Sequence, residues 1–353
     1  MKKHLLALAA LATMSGLAAA QSAVTVYGTL DLGVSSSNSK VTGNTAGTKN
    51  ELANGTIAPS VIGFTGTEDL GGGLKAGFAL ESHLDVSTGQ RSDLGASNQL
   101  FARQSNLFVS GNFGTVKLGR QFTPGVLAFA ATDPRGLRET ASGLQMWAGT
   151  AATETTTNTA YAGIFASNAV SYSYAANGIS VGVLHAVGET AGNTSQNSIT
   201  SAGVTYTGPV TLSAAYEKTK LNATSAATDT TRYSVGVGYT VGALTLKVNH
   251  ISADHEYAAT KDKAFGFGGS YQLTAAGSLN AALYTNSNQG AGRADRDSES
   301  YVVGYEHALS KRTTLFAQYA SSKQKSGTAV TALVGGLANQ TATVTAAGIK
   351  HSF

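Results

Sequence analysis

The chain of 353 residues has no cysteine, four prolines and one tryptophan, Trp147. Without cysteine, disulfides and thiolate chemistry, whether as nucleophile or as metal ligand, are excluded. So little proline beside 42 glycines argues against a disordered linker and suits a crowded, twisted sheet. After residue 20 nothing supplies the roughly 20 consecutive apolar residues that a membrane-crossing helix needs. Charge is scarce as well, at 12% of residues. With Lys2 and Lys3 set aside, 22 basic residues face 20 acidic ones. No Lys/Arg run interleaved with aromatics occurs, so nucleic acid is not an expected partner. The seven histidines are scattered. Neither His-Glu-x-x-His nor Gly-x-Ser-x-Gly is present, and Gly71-Gly72-Gly73-Leu74-Lys75 reads as a tight turn rather than a phosphate loop. No enzyme activity, metal or cofactor is expected.

The first 20 residues read as a secretory signal peptide. Lys2 and Lys3 form a positive start, Leu5 to Leu11 an apolar stretch, and Ala18-Ala19-Ala20 a small-residue cleavage site. Residues 21–353 then form a single domain.

Within that domain, stretches of about ten residues alternate apolar and polar side chains. Val24, Val26, Leu30, Leu32 and Val34 oppose Thr25, Tyr27, Thr29, Asp31 and Gly33. Leu74, Ala76, Phe78, Leu80 and Leu84 oppose Lys75, Gly77, Ala79, Glu81 and His83. The same period of two recurs at Val210–Tyr216, Tyr233–Tyr239, Leu244–Val248 and Tyr301–Tyr305. Side chains alternate across a strand, so each stretch has a greasy face and a wet one. Sixteen such strands are read along the chain. Their connections alternate in length: Glu68–Gly72, Asn177-Gly178, Thr207–Pro209, Val241-Gly242 and Leu309–Lys311 are short. Polar segments near 38–56, 89–98, 189–196, 220–229, 256–262, 287–298 and 324–340 are long. Tyrosines such as Tyr206, Tyr233, Tyr239, Tyr271, Tyr301 and Tyr305 share the apolar parity, as membrane-interface girdles do.

Short turns at one end, long loops at the other and an aromatic girdle describe an outer-membrane β-barrel. A sheet in hydrocarbon must close on itself to satisfy its edges. A barrel of sixteen strands is too wide for side chains to fill, so it holds water. The expected fold is therefore an all-β, 16-stranded antiparallel transmembrane barrel in the outer membrane of a Gram-negative cell. The last strand ends on Phe353, aromatic and on the greasy face, which suggests a signal read by barrel-assembly machinery.

Several segments carry a family resemblance. Val24-Thr-Val-Tyr-Gly-Thr-Leu-Asp, Gly63-Phe-Thr-Gly-Thr-Glu-Asp-Leu-Gly-Gly-Gly-Leu-Lys-Ala, Phe101-Ala-Arg-Gln, Phe113-Gly-Thr-Val-Lys-Leu-Gly-Arg-Gln-Phe-Thr-Pro and the closing Gly348-Ile-Lys-His-Ser-Phe resemble general trimeric porins of the betaproteobacterial type. The resemblance implies a homotrimer set in outer-membrane lipid and lipopolysaccharide, passing small hydrophilic solutes and ions, with its third long loop folded inward. That loop would be residues 123–167, far longer than an ordinary connection. It carries Asp133, Arg135, Arg138, Glu139 and Glu154, and Asp133-Pro134 matches the family's constriction sequence.

The resemblance places Arg103 and Arg120 on a basic wall opposite that loop. Their parity disagrees, since Arg120 runs with Val116 and Leu118, and Arg103 with Phe101 and Leu107. Either a bulge at Gly119 re-aims Arg120, or both lie above the apolar band. Parity sends Lys75, Lys117 and Glu81 inward directly. Val61 and Thr65 stand where the family commonly has inward cations. The expected channel therefore has only weak selectivity, leaning toward anions. The alternatives are a solute-specific channel, which would need an aromatic track along the lumen, and an adhesin-type barrel. Inward aromatics are limited to Tyr27, Phe316 and Tyr284.

Overall fold

Alternation becomes strand pairing along nearly the whole chain. In the computed structural model the described residues are 23–38, 47–91, 99–149, 163–189, 191–220, 229–256, 260–289, 297–324 and 341–353. The expected signal peptide and Glu154 lie outside them. The strands are β1 (Ala23–Ser37), β2 (Lys49–Asn54), β3 (Val61–Gly71), β4 (Leu74–Asp85), β5 (Gln90–Arg91), β6 (Gln104–Gly111), β7 (Gly114–Phe122), β8 (Phe165–Ala176) and β9 (Ile179–Ala186). They continue with β10 (Ile199–Thr207), β11 (Val210–Thr219), β12 (Thr230–Val241), β13 (Leu244–His255), β14 (Thr260–Gln272), β15 (Gly277–Gln289), β16 (Ser298–Ala308), β17 (Thr313–Gln324) and β18 (Thr341–Ser352). Two helices, α1 (Pro124–Thr132) and α2 (Gly143–Gly149), interrupt the series between β7 and β8.

Every pairing is antiparallel, and β1 closes the sheet by pairing with β18 from Thr29–Ser352 to Ser37–Val344. The other edge of β1 pairs with β3 over Ala23–Thr29 and with β2 over Leu32–Ser37. These two partners form one stave, broken between Gly55 and Ser60. Counting them once and leaving aside the two-residue β5, the eighteen strands make a barrel of sixteen staves. The break is anchored by Asp31, whose Oδ2 accepts from the N–H groups of Ile57 and Ala58 at 2.7 Å each. The long segment expected at 38–56 thus contains a strand. Lys49-Asn-Glu-Leu-Ala-Asn has no apolar period because β2 is exposed along most of its length, so alternation could not reveal it.

Turn chemistry explains the short end. Asn177 and Gly178 have φ of 52° and 78°, the pair of left-handed residues a two-residue hairpin requires. Gly71, Gly72 and Gly73 all have positive φ, so this glycine run is a tight turn.

Register carries one parity round the whole circuit. Outward, Val24, Leu107, Leu118, Val235, Phe267, Leu283, Val303 and Ile349 are exposed although apolar, as a lipid-facing surface demands. Exposed outward tyrosines include Tyr174, Tyr206, Tyr239, Tyr271 and Tyr305 toward the short turns and Tyr233, Tyr301 and Tyr319 toward the long loops. The buried apolar cluster is inside the barrel. There, Val126, Phe129, Met146 and Trp147 meet Ile251, Ala264, Tyr284 and Val302 of the wall.

Candidate functional site

The segment after β7 runs into the lumen. Thr123 caps α1, its side chain accepting from the Val126 N–H, and Pro124 follows at the first turn. This helix is apolar throughout; Val126, Ala128 and Phe129 are buried, whereas Leu127 stays exposed. It packs on β9 to β13. Close approach depends on wall glycines: a Cβ at Gly203 would sit 2.2 Å from the Pro124 carbonyl oxygen, and one at Gly236 1.9 Å from Thr132 Oγ1. Inward-facing hydroxyls stitch it down. The Gly125 N–H donates to Ser201 Oγ at 2.9 Å, and Thr132 Oγ1 meets Ser213 Oγ at 2.7 Å.

Beyond α1 the segment continues along the wall to β15, β16 and β17. Arg135 donates to Asn280 Oδ1 on β15 at 3.1 Å and to Gln318 Oε1 on β17 at 2.9 Å. It also donates to the carbonyls of Thr140 and Ala141. Arg138 pairs with Glu306 on β16, and the Thr140 N–H donates to the Thr56 carbonyl. Asp133 holds the bend. Its carboxylate accepts from the N–H groups of Arg135, Leu137 and Gly143 and from the Tyr284 hydroxyl, at 2.8–3.1 Å. Burial pushes its pKa up, against those four bonds pulling it down. Burial lowers the Arg135 pKa to about 10, which leaves it cationic at neutral pH. From α2, Trp147 packs on Phe129 at 5.3 Å between centroids and donates to the Gly163 carbonyl. Arg232, paired with Glu217, lies over its ring.

The sequence-derived residues therefore fall into two groups. Asp133 and Arg135 are 0% and 1% exposed. They tie the segment to itself and to the wall, whereas Arg138 and Glu139 keep partial exposure. On the other side, Tyr27, Glu81, His83 and Arg103 form one cluster. The Tyr27 hydroxyl donates to Glu81 Oε2 at 2.9 Å, and Arg103 bonds Glu81 and His83. The Arg103 guanidinium also lies 5.2 Å from the Phe122 and Phe165 ring centroids. Arg120 donates to the Ala102 carbonyl and Ser167 Oγ and stacks on Phe165. A register shift between Gly119 and Gln121, with Gly119 at φ 114°, is the bulge that frees Arg120 from strand parity.

Lys75 and Lys117 face the lumen, and so do Lys247 and Lys350, which the sequence reading did not single out. Register pairs Lys117 with Phe108 and Ser171, Lys247 with Gly238 and Gly268, and Lys350 with Asp31 and Thr314. Strand parity was a sufficient signal for both. It also places Glu306 and Glu217 inward. At mid-height the inner segment seals the wall from β11 to β16, where Ser213, Ser234, Asn249, Ala264, Tyr284 and Val302 are buried. Along the facing wall Tyr27, Thr65, Lys75, Ala79, Gln104, Lys117 and Ser173 retain exposure. The open lumen runs beside that wall.

Comparison with known proteins agrees with this geometry. The family model for the Gram-negative porin matches residues 7–327. Outer membrane porin protein 32 of Delftia acidovorans is 32% identical over the full length of both chains. The major outer membrane protein P.IB of Neisseria meningitidis is 39% identical over 122 residues, 34% of each chain. Among solved structures, an anion-selective porin from Comamonas acidovorans superposes with a TM-score of 0.81. It is 27% identical and covers 94% of this chain and 100% of its own. An outer membrane protein of Vibrio cholerae, in trimer form, shares the fold at a TM-score of 0.68 and 16% identity, over 94% of this chain and 99% of its own. The chain belongs to the Gram-negative porin family and forms a water-filled channel through the outer membrane.

Proposed function

We propose that small hydrophilic solutes pass between the inner segment 123–149 and the wall from β1 to β8, and that this path leans weakly toward anions. The observation that carries the reading is the lumen near the short turns. Lys75, Lys117, Lys247 and Lys350 face it, and none is ion-paired among the described residues. Against these four lysines, the acidic residues on the same face among the described residues are Asp69, in register with Lys75, Asp31, in register with Lys350, and Glu306, which is paired with Arg138. Water confined in a low-dielectric barrel screens such a field poorly, so the local excess raises anion concentration. At the narrow level Glu81 offsets Arg103, which keeps the preference weak. The Comamonas relative is described as anion-selective, in the same direction.

The functional unit in this reading is a homotrimer. Between residues 24 and 122 the only tyrosine is Tyr27, which faces inward, so the girdle is missing from the outward face of β1 to β7. A 480 Å³ apolar hollow lined by Val24, Phe78, Leu107, Val109, Val116 and Leu118 opens on that face. A wall that meets neighbouring copies needs no headgroup anchors. Residues 1–20 are removed on export in this scheme, and Phe353 is read during assembly.

Reversal potentials in a salt gradient test the sign. The wild-type channel should show mild anion preference. Replacing Lys75, Lys117 and Lys247 with Gln together should bring it to neutral or slightly cationic. Strong cation selectivity of the wild type, or no shift in the triple variant, would refute the reading. Channels should enter the bilayer in groups of three.

A further inference from the structure

At the short-turn end of β16 to β18, the outward residues His307 and His351 and the exposed turn residues Lys311 and Arg312 form a group with no carboxylate side chain among them. His307 lies one residue before the end of β16, Lys311 and Arg312 lie in the following turn, and His351 lies near the end of β18. The acidic residues nearest in register, Glu306 and Asp31, have the opposite parity and face the lumen. The four basic groups sit on pinned backbone. Ser310 Oγ accepts from the N–H groups of Arg312 and Thr313 at 3.1 Å, and the Ser352 N–H donates to the Arg312 carbonyl at 2.8 Å. Thr313 pairs with His351, and its Oγ1 lies 2.9 Å from His351 Nδ1. His307 Nδ1 is engaged in the same way by the Tyr305 hydroxyl, at 3.1 Å.

Three adjacent strands span about 10 Å, so the patch matches one lipid headgroup in width. Leu315 and Ile349, which pair across β17 and β18, are exposed beside it on the membrane side. Tyr305 of the girdle marks the interface level.

We propose that this patch binds the phosphodiester headgroup of an anionic phospholipid in the leaflet nearest the short turns, with the acyl chains lying on Leu315 and Ile349. Arg312 supplies a planar fork for phosphate oxygens and Lys311 a point charge. A neutral imidazole with its Nδ1 engaged can offer its Nε2 proton to the same oxygens. The rival occupant is a second copy, through the acidic short turn Glu68-Asp69 of a neighbour.

Native mass spectrometry of the assembled protein, extracted from bilayers of equal phosphatidylglycerol and phosphatidylcholine, tests this. The wild type should retain phosphatidylglycerol selectively. The Lys311→Ala/Arg312→Ala variant should lose that retention several-fold, with folded gel mobility and conductance unchanged. Lys323→Ala, outward at the opposite end of β17, should behave as wild type. Equal retention of both lipids by the wild type would overturn the proposal. So would unchanged retention in the double variant, and so would subunit dissociation without lipid loss, which would assign the patch to a neighbouring copy.

Discussion

An arginine facing lipid at mid-membrane costs roughly 2–4 kcal/mol, and Arg120 avoids that cost through a single glycine. At φ 114° Gly119 inserts a bulge, and the guanidinium then finds a carbonyl, a hydroxyl and an aromatic face. Gly119→Ala would put a Cβ 2.4 Å from the Ser105 carbonyl oxygen in a backbone region that L-residues avoid. We expect a loss of about 1–3 kcal/mol, seen as a lower urea midpoint for the folded barrel; an unchanged midpoint would count against the bulge. Glu81 has a different role. It accepts from both Tyr27 and Arg103, so Glu81→Gln leaves a cation without its counter-charge beside the proposed path. Because 1.4 kcal/mol is tenfold, a differential of only about 0.4 kcal/mol doubles a permeability ratio. The anion-to-cation ratio should at least double. A ratio that stays put would show that Arg103 does not face the conducting path.

At the scale of elements, the inner segment works as a strut bent at Asp133. Asparagine there keeps one acceptor oxygen but turns an amide toward N–H groups that need acceptors, at about 1–3 kcal/mol for each buried group left unmatched. Asp133→Asn should therefore leave the barrel assembled but loosen the strut, giving larger and noisier single-channel currents; quiet wild-type currents would contradict the bend's role. Trp147 is 0% exposed and is the only tryptophan, so its fluorescence reports on this element alone. Its emission should be blue-shifted and resistant to iodide, and brominated lipids should not quench it, because it packs inside the barrel. Quenching by the lipid would place it outside. How much of this was legible varied with the signal. Period-two stretches were readable because lipid and water select opposite faces, and parity alone located Lys75, Lys117 and Glu81. Strand β2 was not readable, since Leu52 is the one large apolar residue in it and gives no period. The length of residues 123–167 marked an unusual loop, but its inward course came only from family resemblance. That Asp133 and Arg135 are wholly buried follows from the wall glycines and hydroxyls that receive the segment, a complementarity between distant parts of the chain that no local pattern records.

For the whole molecule, closure turns local alternation into function. With β18 joined to β1, every wet face points into one enclosed space and every greasy face into lipid or a neighbouring copy. In the proposed path the inner segment occupies one side, and the field of the lumen-facing lysines, none ion-paired among the described residues, acts on what passes along the other. The absence of cysteine makes this directly measurable, because any thiol introduced is the only one present. Lys117→Cys and Val235→Cys place thiols on the two faces of the wall, one toward the lumen and one, at 58% exposure, outward among the girdle tyrosines. A charged, water-borne methanethiosulfonate reagent applied during planar-bilayer recording should cut the current through the Lys117→Cys channel stepwise and leave the Val235→Cys channel unchanged. Block at Val235→Cys with none at Lys117→Cys would mean that the alternation had been assigned to the wrong faces.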